Sequence, residues 1–126
     1  MKFSNIPEIT TILSLFTSLC ATQGVNSGNA KYNCSGVIFY SESINASTAM
    51  ASTINIGSLN GYPAPYPVYG LSGTAPYHLF PMVKDVMVYA GGVVSKFFLI
   101  IDINDIEQGM VYVREGYEGY LPCTAM

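Results

Sequence analysis

The sequence predicts an α+β domain in which a single helix packs on a small, mostly antiparallel sheet. One segment near the start of the domain has the composition of a helix, and several short apolar segments follow it. Glycine, proline and polar residues separate those segments at hairpin-like intervals, which favours antiparallel pairing.

The one predicted helix covers residues 43–56. Asn45 is a suitable N-cap, good helix formers follow it, and Gly57 stands where a C-cap belongs. One face repeats at intervals of four residues and is expected to pack inward; it consists of Ala46, Met50 and Ile54.

A short strand is predicted before the helix, at residues 37–40, and four or five strands after it. The segment 96–103 is apolar on both faces and is therefore expected to be central. Pro81 is expected to end the strand at 78–82, and an edge strand is expected at 66–71. The remaining segments are the strands 110–114 and 120–123, the hairpin loop 104–108, and turns at 89–92 and 115–119.

The first 24 residues are predicted to be a signal peptide, and residues 25–126 the mature domain. The segment 9–21 is uncharged and apolar or hydroxylic, which is the length of a signal core and too short for a membrane span. The alternative, an amphipathic first helix, lacks a polar face. The rest of the chain has no second long apolar segment, so we expect a secreted protein that does not bind membranes.

Charge argues against nucleic acid as an electrostatically steered partner. The mature segment carries four basic and seven acidic side chains, a net charge of −3. An acidic domain of this kind lacks the basic surface that attracts a phosphate backbone, although a local pocket for RNA is still possible.

The cysteines predict one disulfide bond. Cys20 lies in or beside the predicted signal peptide, which leaves Cys34 and Cys123 near the two ends of the mature chain. In an oxidising compartment such a pair should bond. Closing a loop of this length removes unfolded-state entropy equivalent to about 4.5 kcal/mol.

Short motifs follow one another along the mature chain in a characteristic order. They are Tyr32-Asn33-Cys34, Ser47-Thr48-Ala49, Tyr62-Pro63, Phe80-Pro81, Tyr89-Ala90-Gly91-Gly92, and Tyr120 before Cys123. This order resembles the fungal guanyl-specific ribonucleases over nearly the whole mature chain. The resemblance implies a ribonuclease-like domain at 25–126, and it also implies the Cys34–Cys123 disulfide.

The resemblance fails at the positions where the chemistry should be. Those ribonucleases use a Glu base, a His acid, a second His and an Arg on the ribose and phosphate. This chain has Ala64, Leu79 and Val113 at the His, Glu and His positions. The Arg position falls near Lys96 or Phe97, and Lys96 keeps only a charge. The resemblance therefore implies a pseudo-ribonuclease without catalytic residues.

The same combination resembles the RNase-like secreted effectors of cereal powdery-mildew fungi. That group has a signal peptide, an aromatic-x-Cys motif shortly after it, a second Cys near the end, and no catalytic residues. This resemblance implies delivery into plant cells, virulence through interference with host immunity, and recognition by an intracellular immune receptor. The predicted function is accordingly a non-catalytic effector whose partner is a host protein.

Tyrosines are the candidate binding residues, since the chain has ten tyrosines and no tryptophan. Several stand in or near a proline-rich loop, where they could stack on a base or on a partner's side chain. The alternative is that they cover the sheet with their hydroxyls in water. The predicted binding set is Tyr62, Tyr66, Tyr69, Tyr77, Lys96, Tyr112 and Tyr120.

Two other functions stay open: an RNA- or ribosome-binding module at the old nucleotide site, and an active ribonuclease with relocated residues. The active enzyme would need His78, the single histidine, which has no second His or nearby Glu to form an acid–base pair. We expect His78 to be an edge-strand residue.

Acidic residues at the hairpin resemble a loose calcium pattern, but the required Gly and bidentate Glu are missing. We therefore expect a solvated hairpin tip and neither a metal nor a cofactor. The residues concerned are Asp102, Asn104, Asp105 and Glu107.

Overall fold

A computed structural model describes residues 28–126, so the predicted signal peptide lies outside the described residues. It confirms the α+β class, with one helix packed on antiparallel sheets. The helix is α1 (Ser41–Thr53). The strands are β1 (Ala30–Cys34), β2 (Val37–Tyr40), β3 (Ala64–Tyr66), β4 (Tyr77–Met82), β5 (Phe97–Ile101), β6 (Glu107–Tyr112), β7 (Leu121–Pro122) and β8 (Thr124–Ala125).

The strands form two sheets, a small one of order β2-β1-β8 and a large one of order β3-β4-β5-β6-β7. Strand β5 lies in the middle of the large sheet, and its residues 98–101 are buried. This confirms the prediction of an apolar central strand. Pro81 does not end β4 as predicted, because it lies within the strand, opposite Phe98, and is buried.

Alternation along β4 and β5 divides the interior into two cores on opposite faces of the large sheet. The helix-side core includes Phe80, Met82, Leu99, Ile101 and Met110, together with Phe39 and Ile44. The core on the other face consists of Tyr77, Leu79, Phe98, Ile100 and Val111. Both faces of the sheet are therefore covered by apolar side chains.

The helix differs from its prediction at both ends. It begins at Ser41, directly after β2, with Tyr40 extended at the N-cap position and no side-chain cap, so Asn45 lies inside the helix. It ends at Thr53, because Ile54 is already extended (φ −114°, ψ 160°), and not at the Gly57 cap.

The inward face of α1 is also rotated from the predicted one, on which Met50 is only half-buried. The buried residues are Ser43, Ile44, Ser47 and Ala51. The two serine hydroxyls donate to the carbonyl of Met87, Ser43 at 2.7 Å and Ser47 at 3.4 Å. These hydrogen bonds compensate the burial of polar groups that sequence patterns place outside.

The edge strand predicted at 66–71 lies earlier, at Ala64–Tyr66. Prolines explain the shift, since a proline donates no ladder hydrogen bond and Pro67 follows the strand directly. The chain beyond is a loop held by Tyr77, whose hydroxyl lies 3.0 Å from the carbonyl oxygens of Leu71 and Ser72.

The small sheet is connected to the rest of the domain by a disulfide bond, a hydrogen bond and an ion pair. Cys34 and Cys123 form the predicted disulfide, with their Cα atoms 4.4 Å apart. The buried Tyr32 hydroxyl donates to Glu107 on β6 at 2.6 Å, and Lys31 pairs with the same carboxylate at 3.2 Å. Burial raises the pKa of Tyr32, and the hydrogen bond and charge of Glu107 raise it further. Tyr32 therefore stays a neutral donor at physiological pH.

Asp102 organises the hairpin between β5 and β6, and it is buried rather than solvated as predicted. Its carboxylate accepts from the backbone N–H groups of Ile106 (3.0 Å), Thr74 (3.2 Å) and Asn104 (2.9 Å), and from the amide of Gln108 (3.1 Å). Burial alone would raise the pKa of Asp102, but these hydrogen bonds outweigh it and hold the pKa below its ordinary value of 3.8.

Replacing both Cys34 and Cys123 by Ser should lower the free energy of unfolding by about 4.5 kcal/mol, because the unfolded chain regains its loop entropy. Urea denaturation of the oxidised protein and of the double variant measures the difference. An unchanged midpoint would show that the disulfide carries no stability.

Asp102 predicts a pH dependence. Since its folded pKa is lowered, its stabilisation is present above pH 3.8 and is lost as the pH falls through the folded value. Asp102→Asn should destabilise the protein by about 2 kcal/mol at pH 7, and the gap to the native protein should shrink below pH 3.8. The control is Asp105→Asn on the same hairpin. A gap that stays constant from pH 7 to pH 2 would contradict the assignment.

Candidate binding surface

The face of the large sheet that points away from α1 holds the positions where the resemblance puts catalysis. Ala64 lies directly opposite Leu79, and Leu79 lies directly opposite Ile100. Residues opposite each other on antiparallel strands share a face, so these side chains stand side by side. Val113, just beyond β6, packs against the same core. The structure thus brings together the three positions, and each carries an apolar side chain.

Four aromatic rings extend along this surface in a chain of contacts. Phe98 stacks on Tyr62 (ring centroids 5.7 Å apart) and meets Tyr120 edge-on (5.7 Å), and Tyr120 meets Tyr66 edge-on (5.4 Å). We call these four residues the aromatic face. Offset and edge-to-face contacts at such distances are the favoured geometries for aromatic pairs.

The aromatic face is electrically neutral. Burial raises the pKa of Tyr62, with smaller contributions from Tyr120 and Tyr89, and burial followed by Tyr120 raises the pKa of Tyr66. Both phenols are therefore protonated at physiological pH. A phenol of raised pKa is a poor general base near neutrality, where catalysis requires a group whose pKa is close to the working pH.

Beside the aromatic face lies a groove of about 260 Å³, lined mainly by the proline-rich loop. Tyr69 stands on this groove and is 96% exposed. Tyr77 also lines it, but its ring is buried and its hydroxyl is bonded to loop carbonyls. Tyr69 is therefore available to a partner, whereas Tyr77 supports the loop.

Two members of the predicted binding set lie elsewhere. Lys96 and Tyr112 border a separate groove of about 290 Å³ beside Cys34 and Arg114. Tyr112 packs against the helix-side core, on the face opposite to the aromatic face. The structure thus groups Tyr62, Tyr66 and Tyr120 but places Lys96 and Tyr112 at a different site.

His78 is half-buried on β4, which lies between β3 and β5, so the expectation of an edge-strand residue is wrong. It alternates with Leu79, so its position in the pleat is on the helix side, together with Phe80. It borders both the Tyr69 groove and a cleft at the end of α1. No hydrogen bond within residues 28–126 joins it to a carboxylate, and no acid–base pair is formed there.

Phe98 is the central residue of this surface, and sequence reasoning missed it as a site residue. It touches both Tyr62 and Tyr120 and thereby joins the two ends of the aromatic face. The available signal was the alternation of β5, because Phe98 and Ile100 lie on one face and Leu99 and Ile101 on the other.

Comparison with solved structures identifies the fold. A ribonuclease from Hericium erinaceus (RNase He1) matches with a TM-score of 0.59 and 22% sequence identity, covering 75% of this chain and 98% of that chain. The chain has a ribonuclease-like fold. The BEC1054 RNase-like effector from the fungal pathogen Blumeria graminis matches with a TM-score of 0.58 and 20% identity, covering 78% of this chain and 98% of its own. No protein-family model and no curated protein matches the sequence.

Residues 28–126 contain no helix long and apolar enough to cross a membrane. Within the same range, no group of three or more His, Cys, Asp or Glu side chains is placed to hold a metal ion.

The aromatic face predicts a measurable coupling between Tyr66 and Tyr120. In a double-mutant cycle with alanine, the two substitutions should be non-additive by about 1 kcal/mol, because their edge contact is lost only once. Urea unfolding of the four proteins gives the coupling. Tyr117, whose ring lies under Arg114, supplies the control, since Tyr66→Ala and Tyr117→Ala should be additive. Additivity of the Tyr66–Tyr120 pair would contradict the contact.

Proposed function

We propose that the protein is a secreted, non-catalytic effector with a ribonuclease-like fold, which binds a host protein through the aromatic face and Tyr69. One observation carries the proposal. The sheet face where the resemblance to fungal ribonucleases puts the catalytic positions is lined in this chain by Ala64, Leu79 and the aromatic face. These side chains cannot exchange protons near neutral pH, but they offer rigid apolar contact area.

The effector part of the proposal is supported by likeness and compartment. One solved structure of the same fold is described as an RNase-like effector from a fungal pathogen. The Cys34–Cys123 disulfide is typical of secreted proteins, which agrees with the expected signal peptide at 1–24. Delivery into a plant cell, suppression of immunity and recognition by an immune receptor are the functions that this likeness leads us to propose.

A protein partner is favoured over RNA by charge. The chain has a formal net charge of −3, and the residues that line the groove beside the aromatic face include neither Lys nor Arg to neutralise a phosphate backbone. Tyrosine, in contrast, is enriched at the energetic centres of protein interfaces. RNA or ribosome binding is the second candidate, because exposed rings such as Tyr69 can stack on any base.

The catalytic question is decided by a nuclease assay on purified, oxidised protein with guanosine-containing single-stranded RNA. We expect no cleavage above the buffer background at any pH between 5 and 8, since the sheet face that carries Ala64, Leu79 and the aromatic face lacks an acid–base pair. The informative variant is His78→Ala. Turnover that disappears in this variant would show an active ribonuclease and overturn the proposal.

The partner question is decided by capture from host tissue, compared between the native protein and Tyr69→Ala. Because Tyr69 is exposed, its loss should leave the fold intact and weaken capture about tenfold. Tyr117→Ala is the matched control and should retain capture. Binding should persist at high salt. Capture of RNA alone, with a steep loss as salt rises, would instead support the second candidate.

A further inference from the structure

A second cavity lies on the opposite side of the large sheet from the aromatic face. It is a cleft of about 400 Å³ between the C-terminal end of α1 and the loop that follows β5. It is lined by Ile54 and Ile56 from the chain after α1, by Ile103 and Asp105 from the loop after β5, and by His78 and Ile101 from the sheet. We call it the isoleucine cleft. The proposed function does not use it.

The rim of the isoleucine cleft is apolar and exposed. Ile56 is 61% exposed and Ile103 is 51% exposed, and the neighbouring Ile106 is 55% exposed. Large apolar side chains exposed together around one cleft form the kind of apolar patch that marks an interaction site in soluble proteins.

Backbone hydrogen bonds of the hairpin between β5 and β6 hold Ile103 in its exposed position. The Ile103 N–H donates to the carbonyl of Thr74 at 3.1 Å, and the preceding Asp102 carboxylate holds the backbone of Asn104 and Ile106. The Asp105 N–H also donates to the Asp102 carbonyl at 3.0 Å, so these four hydrogen bonds hold the loop in place. A rim supported in this way is preorganised for a partner, which lowers the entropic cost of binding.

The charge of the cleft is negative. Asp102 and Asp105 line it, and the residues that line it include neither Lys nor Arg. Asp102 remains ionised at physiological pH because its pKa is lowered. Its charge is already shared with four N–H donors, so the carboxylate free for a partner is that of Asp105, which is exposed.

We propose that the isoleucine cleft docks a short segment of a protein partner that carries a large aliphatic side chain next to a lysine or arginine. The aliphatic side chain enters between Ile54, Ile56 and Ile103, and the cation faces Asp105. A volume of about 400 Å³ accommodates one or two side chains. A second copy of this chain fits less well, because two acidic molecules repel each other.

The proposal makes the protein two-sided. The aromatic face and the isoleucine cleft lie on opposite faces of the large sheet, and the Tyr69 groove meets the cleft at Pro76 and His78. This surface stands independently of the proposed function, and the experiment separates the two.

The test is a titration of oxidised, ¹⁵N-labelled protein with the capped dipeptide acetyl-Leu-Arg-amide, followed by NMR. Saturable shifts are expected for the amides of Ile56, Ile101 and Ile103, which line the cleft and not the Tyr69 groove. Acetyl-Leu-Glu-amide has the same apolar group and the opposite charge, and should bind about threefold more weakly. Equal binding of both dipeptides, absence of saturation, or shifts confined to the aromatic face would overturn the proposal.

Variants assign the shifts to the cleft. Ile103→Ser should abolish them while the rest of the spectrum stays unchanged, and Ile56→Ser is a second variant with the same expectation. Val93→Ser is the matched control, because Val93 is 93% exposed and lies outside the cleft. Asp105→Asn should remove the preference for arginine over glutamate. Unchanged binding by both isoleucine variants would contradict the proposal.

Two more measurements keep the outcomes distinct. Tyr69→Ala should leave dipeptide binding unchanged, so failure of the aromatic-face proposal and failure of this one are separable. Sedimentation across a hundredfold range of concentration should show a monomer. A dimer that Ile103→Ser dissociates would assign the cleft to a second copy and overturn the present assignment.

Discussion

The structure depends on one constraint: β4 and β5 are apolar on both faces and must be covered on both. Successive side chains of a strand point to opposite sides of the sheet. Phe80 and Leu99 are therefore covered on the helix side, while Leu79 and Phe98 require a separate cover on the other side. That cover is supplied by Tyr62, Tyr66 and Tyr120. The same burial that stabilises the second face excludes charged groups from it, because an unpaired buried charge costs several kcal/mol.

The Tyr32-Asn33-Cys34 motif at the start of the domain has a structural role, because two of its residues connect the small sheet to the large one. Cys34 closes the covalent link to Cys123, and Tyr32 reaches across to Glu107 on the large sheet. Both residues therefore join the small sheet to the large one. These contacts hold together a ribonuclease-like fold whose sheet face away from α1 is lined by apolar and aromatic side chains.

Much of this could be predicted from the sequence where local pattern decides structure. The apolar segment at β5, the strand at Val37–Tyr40 and the disulfide follow from composition and spacing. The buried face of α1 could not be predicted from the sequence. Ser43 and Ser47 are polar and are expected on the exposed face, but their hydroxyls donate to the carbonyl of Met87, which no local pattern indicates. The pairing of β1 with β8 joins the two ends of the domain, and no local pattern reports such a contact. The number of tyrosines predicts part of the aromatic face, but Phe98 becomes a site residue only through its contacts with Tyr62 and Tyr120.

The central claim is that the sheet face away from α1 is covered by partly buried, uncharged aromatic rings, and tyrosine ionisation measures that burial directly. A residue-resolved ¹³C NMR titration of the phenols should show Tyr62 and Tyr66 ionising above their ordinary pKa of 10.0, since burial raises both values. Tyr62→Phe and Tyr66→Phe assign the two signals. If Tyr62 and Tyr66 instead ionise at or below pH 10, their phenols are not held in the partly buried contacts described here and the account is wrong.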